Sequence, residues 1–100
     1  MKVEFSKEFE KAVRKLSGKM LESVRETIQE VINAESIEEL TDCKKLVDYD
    51  FIYRLRIGSY RAFFSFHVQI VEDHVMFLYL VPRGQAYDKK MGNNLQRKDV

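Results

Sequence analysis

Tryptophan is absent, and cysteine and proline occur once each, as Cys43 and Pro82. A lone cysteine excludes an intramolecular disulfide framework, the usual support of a small secreted fold, and points to a reducing compartment. One proline and four glycines in 100 residues exclude a linker-rich or low-complexity chain. No apolar run approaches the ~18–20 residues of a membrane span. Met1-Lys2-Val3-Glu4 lacks the apolar core of a signal peptide, so a cytoplasmic protein with no membrane contact is expected.

What remains is the profile of an ordinary globular chain, 45% apolar and 33% charged. Residues 1–100 are expected to form one domain, because a second core would need roughly 50 further residues. The net charge of +1 conceals an uneven distribution. Residues 1–43 are acidic, whereas Phe51 to Val71 holds three arginines and no acid. A local cationic surface on a nearly neutral protein suggests one anionic site rather than general affinity for polyanions.

Val3-Glu4-Phe5 is short and alternating, as an edge strand is. Ser6 is placed as an N-cap, and Phe5, Phe9, Ala12, Val13 and Leu16 follow at helical spacing until Gly18, read as the stop. A second helix is predicted from Lys19 to about Asn33, with Met20, Leu21, Val24, Ile28, Val31 and Ile32 on its apolar stripe. Ser36 and Glu39 have the spacing of a capping box. Beyond Leu46 the apolar period falls to two. Tyr53, Leu55 and Ile57 alternate with Arg54 and Arg56, and Gly58-Ser59 supplies a two-residue turn with glycine first, as type II′ requires. A strand from Tyr60 to about Ile70 follows, then a turn at Val71-Glu72-Asp73. The last strand, Val75 to Val81, is apolar on both faces and so predicted to be covered. Asp88 to Leu95 has the pattern of a short helix, with fraying expected after it. Two N-terminal helices packed on an antiparallel β-meander, with a short polar C-terminal segment, make an α+β fold.

Register carries the functional reading. A two-residue loop at Gly58-Ser59 places Arg56 opposite Arg61 on one face, with Arg54 two residues along it. A three-residue turn at 71–73 puts Arg83 opposite Arg61 as well; a two-residue turn puts Arg83 on the other face. Opposed like charges cost a sheet a few tenths of a kcal/mol to about 1 kcal/mol each, so their accumulation suggests a bound anion. The bland alternative is solvation, or pairing with Asp48, Asp50 or Glu72. Guanidinium suits phosphate because it is planar, permanently charged and able to donate through two N–H groups at once. Tyr87 follows Arg83 by four residues. His67 and His74 read as solvated surface residues, Phe63 reads as a core residue whose other use, as an aromatic platform, stays open, and Lys44 and Lys45 read equally as contacts to the bound anion or as a solvated loop. Cys43 has no histidine or second cysteine at ligand spacing, so neither zinc nor any other cofactor is indicated.

The stretch Tyr53-Arg54-Leu55-Arg56-Ile57-Gly58-Ser59-Tyr60-Arg61, with Lys44-Lys45-Leu46 before it and Arg83 and Tyr87 after it, resembles the RelE/ParE superfamily of toxin–antitoxin toxins. The resemblance covers roughly residues 1–90 and favours the RelE-like branch. It implies a small cytoplasmic, metal-independent endoribonuclease that cuts mRNA on the ribosome and is masked by a cognate antitoxin. Carried onto this chain, the catalytic positions fall on Arg61, Arg83 and Tyr87. Substrate binding falls on Arg54 and Arg56, where RelE itself has lysines, with Lys44 and Lys45 beside them. Arginine holds its proton at neutral pH, so Arg54 and Arg56 are confined to orienting phosphate. Replacing Arg61 with alanine is expected to abolish toxicity and leave folding and antitoxin binding largely intact. The alternative within the superfamily is a ParE-like toxin that inhibits DNA gyrase by protein contact and cleaves nothing.

Overall fold

A computed structural model describes residues 1–100. The chain runs β1 (Lys2–Phe5), α1 (Lys7–Arg14), α2 (Gly18–Asn33), β2 (Cys43–Lys45), β3 (Ile52–Ile57), β4 (Tyr60–His67), β5 (His74–Pro82) and α3 (Lys89–Lys98). Single 3₁₀ turns lie at Ile37–Glu39 and Arg83–Gln85. The strands form one sheet in the order β1-β5-β4-β3-β2. β2, β3, β4 and β5 are antiparallel neighbours, while β1 lies parallel to β5 at the edge. No helix is long and apolar enough to cross a membrane.

The local signals behave as their chemistry dictates. The Ser6 hydroxyl accepts from the Phe9 N–H at 3.0 Å and so caps α1. Ser36 and Glu39 form the reciprocal capping box. Gly18 differs from its expected part: with φ at +58° it turns the chain into α2 and is that helix's first residue. Gly58, φ +56°, is the one left-handed residue of the β3–β4 turn, as type II′ demands.

Period-two alternation sends the side chains of β3, β4 and β5 to two different environments. On the helix side Leu55, Ile57, Ala62, Phe64, Phe77 and Leu80 pack under α1 and α2, with Phe9, Val24 and Val31 supplied by the helices. On the opposite side Ile52, Phe63 and Leu78 pack under Ala86, Met91 and Leu95. The C-terminal segment therefore has a core function. It is longer than expected and firmly held, because the Asp99 carboxylate accepts from the backbone N–H groups of Asp50 and Phe51 at 2.8 and 2.7 Å.

β4 ends at His67 rather than near Ile70, and a six-residue loop, 68–73, replaces the expected tight turn. His67 pairs with His74, and the register then slips by one residue between Phe63 and Phe64, leaving Leu78 as a bulge in β5. Ser6 fixes that bulge: its hydroxyl donates to the Leu78 carbonyl at 2.6 Å, and its N–H to that of Phe77 at 2.9 Å. The histidines are not simply solvated. His67 Nε2 lies 2.6 Å from the Val100 carbonyl with its ring stacked on Phe51, and His74 Nε2 lies 3.3 Å from Glu4 Oε1.

Candidate nucleic-acid interface

The β3–β4 hairpin has the register its turn requires. Ile57 faces Tyr60, and Arg56 faces Arg61. Arg54 faces Phe63 on β4 and, across its other edge, Lys44 of β2. Lys44 and Lys45 are thus strand residues and not part of a solvated loop. Arg61 faces Val81, so the expected Arg61–Arg83 pair does not form. Arg83 instead opens the 3₁₀ turn after β5, where its N–H donates to the Ser59 carbonyl at 2.9 Å. That bond ties the segment carrying Arg83 to the same hairpin turn, so Arg83 joins the arginine cluster by a different route from strand pairing.

Together these elements frame a groove of about 320 Å³ lined by Lys44, Lys45, Arg54, Arg56, Arg61, Arg83 and Tyr87, with Leu46 and Val47 at its side. All seven residues singled out from the sequence meet there. No carboxylate oxygen approaches within 4.0 Å of any of the six cations, so pairing with Asp48, Asp50 or Glu72 is not how the charge is compensated. Six unpaired cations about one concavity create a positive potential suited to a phosphodiester backbone.

The six differ in what they can do. Arg56 is exposed, whereas Arg61 is buried, at 6% exposure. Arg61 Nη1 donates to the carbonyls of Gly58 and Tyr60 at 3.0 and 2.9 Å, so part of its donor capacity braces the turn and the rest faces the groove it lines. An alanine there removes a structural brace as well as a charge. Lys45 Nζ donates to the Tyr49 carbonyl at 2.6 Å and holds the chain between β2 and β3. Tyr87 is 65% exposed and stands edge-on to Phe63, with ring centroids 6.3 Å apart. Phe63 itself is fully buried and supports Tyr87 from beneath.

Leu46 entered the functional reading of the sequence only as part of Lys44-Lys45-Leu46, and Val47 not at all. The one available signal is an apolar pair between Lys45 and Asp48, with Asp48 held at φ +73° and Val47 77% exposed. Cys43, on β2 but packed on the helix side of the sheet, is half-buried, and its thiol is pushed up to about 11 by burial, against a smaller lowering by Arg54.

No protein-family profile matches the chain. Among curated proteins, Toxin RelE3 of Methanocaldococcus jannaschii is 32% identical over 89 residues, which are 88% of this chain and 97% of the relative. The fold is similar to that in the RelB-RelE antitoxin-toxin complex from Methanococcus jannaschii, with a TM-score of 0.69 at 26% identity over 85% of this chain and 95% of that one. The archaeal RelE-RelB complex from Pyrococcus horikoshii gives 0.62 at 27% identity over 85% and 97%. A mutant of E. coli RelE in the free state covers 99% of this chain and 97% of its own at a TM-score of 0.70; at 19% identity that likeness is one of fold.

Proposed function

The chain belongs to the RelE family of toxins, and from that premise we propose that it is a ribosome-dependent mRNA endoribonuclease restrained by a cognate antitoxin. The observation that carries this reading is the groove of six cations free of carboxylate partners. Its bound groups are the phosphates of mRNA, and its place of action is the cytoplasm, where the ribosome presents that mRNA. The RelB–RelE complexes among its structural neighbours supply the analogy for the antitoxin.

The chemistry is attack by a ribose 2′-oxygen on the adjacent phosphorus with loss of the 5′-oxygen. The P–O2′ bond forms as the P–O5′ bond breaks, leaving a 2′,3′-cyclic phosphate and a 5′-hydroxyl. The proton of the 2′-hydroxyl passes to solvent water, and one is delivered to the departing 5′-oxygen. Negative charge accumulates on the phosphoryl oxygens in between, and preorganised cations aimed at it lower the barrier. Arg54 and Arg56 orient the phosphate with Lys44 and Lys45, and Arg61 and Arg83 stabilise the added charge. Tyr87, whose phenol is exposed at the groove, is assigned the proton for the leaving oxygen. Holding the codon in one geometry on the ribosome supplies orientation, which by itself is worth several kcal/mol.

The test is to map 5′ ends on a defined mRNA in a purified translation system containing this protein, with and without ribosomes. New 5′-hydroxyl ends at codon-phased positions are expected only with ribosomes present. Folded protein that yields none overturns the nuclease reading, and equal cleavage of free mRNA overturns the dependence on the ribosome.

A further inference from the structure

A second concavity of about 220 Å³ opens beside the cationic groove and shares Leu46, Val47 and Tyr87 with it. Its floor is apolar and buried, formed by Phe63, Ala86 and Leu95. Its volume is below the ~300–1,000 Å³ typical of sites that enclose larger ligands, which suits one flat ring system. Both walls are anchored. On one side Lys45 holds the Tyr49 carbonyl, and the Asp99 carboxylate holds the backbone of Asp50 and Phe51. On the other, α3 begins at its Asp88 cap, and the Tyr49 hydroxyl donates to the Gly92 carbonyl at 3.4 Å.

The two concavities contrast in charge. The groove holds six cations, whereas Asp88 carries the only formal charge of the slot. Asp88 Oδ1 accepts from the Met91 N–H at 2.8 Å, which fixes the carboxylate, while its other oxygen has no hydrogen bond or ion pair within the chain. A strand whose phosphate lies in the groove has its attached base within reach of the slot across the shared Tyr87 ring. Exocyclic amino groups of adenine, cytosine and guanine are donors to a carboxylate. Uracil has no amino group and flanks its single N–H with two carbonyl oxygens, which a carboxylate repels.

We propose that this slot receives a base flanking the scissile phosphate and that Asp88 makes it selective for amino-bearing bases against uracil. The proposal rests on the phosphate-groove reading above and names the substrate feature that the same site selects. Asp88→Asn isolates the charge, because asparagine is as good an N-cap and keeps an acceptor for the Met91 N–H. Its amide also offers a donor to a uracil carbonyl.

The experiment uses translating ribosomes programmed with mRNAs that carry each of the four bases at the two positions flanking the cut, with 5′ ends counted by sequencing. The wild-type protein is expected to cut uracil-bearing sites about tenfold less often at one of those positions, the ratio set by one charge-assisted hydrogen bond. Asp88→Asn is expected to bring uracil to within about twofold of the other bases. A uracil share unchanged by Asp88→Asn, or wild-type cutting indifferent to the base at both positions, overturns this proposal and leaves the nuclease reading standing. Absence of cleavage overturns both.

Discussion

The two faces of the sheet solve opposite problems with the same strands. The helix side is apolar from Leu55 to Leu80, and Phe9, Phe64 and Phe77 form an aromatic cluster within it, with Phe5 stacked on Phe9 and Phe77 at its exposed edge. The other side is divided. Ile52, Phe63 and Leu78 are covered by α3, whereas Arg54, Arg56 and Arg61 lie where α3 does not reach. One face holds the fold together, and the uncovered half of the other accumulates like charge at a cost to stability. Pleating makes this division possible, because each arginine on β3 is flanked in sequence by residues that pack into the opposite layer.

The largest expected effect belongs to the helix side. Phe77 is fully buried against Phe5, Phe9 and Phe64, with the nearest ring centroid, that of Phe9, at 5.0 Å. Phe77→Ala should cost about 3–5 kcal/mol of stability from lost transfer energy and the cavity left behind. Chemical denaturation followed by circular dichroism checks it. A loss below about 1 kcal/mol would mean that the aromatic stack is not what holds the helices to the sheet.

On the groove side the expected change is in activity. Arg56→Ala should lower ribosome-dependent cleavage about 100-fold, the consequence of misplacing the phosphate that this guanidinium orients. Its stability should hold or rise by a few tenths of a kcal/mol, because the opposition to Arg61 is relieved. Arg61→Ala separates the two roles that the groove combines. It should reduce cleavage comparably and also destabilise by about 1–3 kcal/mol, since the Gly58 and Tyr60 carbonyls lose their donor. Denaturation and cleavage measured on both variants decide it. Equal stability of the two would show that Arg61 braces nothing.

How much of this could be read in the sequence follows the range of the interactions involved. The β3–β4 register, and with it the Arg56–Arg61 pair, is set by two turn residues and was legible. So were the caps at Ser6 and Ser36, whose partners lie three residues away. The position of Arg83 was not. It depends on the Leu78 bulge, which is held by a hydroxyl 72 residues earlier in the chain. β2 is only three residues long and has no alternation of its own, so its pairing with β3 left no local trace. The anchored C-terminus was illegible for the same reason: the backbone groups that bind Asp99 lie 48 and 49 residues away. The residues of the candidate site nevertheless line one groove, because several elements converge on it and no single register decides their meeting.

A smaller effect tests how independent the two faces are. Cys43 packs with the helix-side core, yet Arg54, a neighbour of its cross-strand partner Leu55, belongs to the groove. Burial raises the thiol from 9.0 to about 11, and the Arg54 guanidinium opposes that rise. Alkylation proceeds through the thiolate, so at pH 8 the folded protein should react about 100-fold more slowly than the denatured chain. Between pH 9 and 11 the folded state keeps a proton that the unfolded state has released. The thiol's contribution to stability is therefore complete below about 9 and is lost as the pH rises through about 11. Arg54→Gln removes the opposing charge while retaining much of the side-chain volume, so alkylation should slow further and its midpoint move to higher pH. Faster alkylation in that variant would mean that Arg54 shields the thiol sterically, and that the cationic face is part of the packing on the other side of the sheet. Slower alkylation with an unchanged denaturation midpoint at neutral pH would mean that charge crosses the sheet where packing does not.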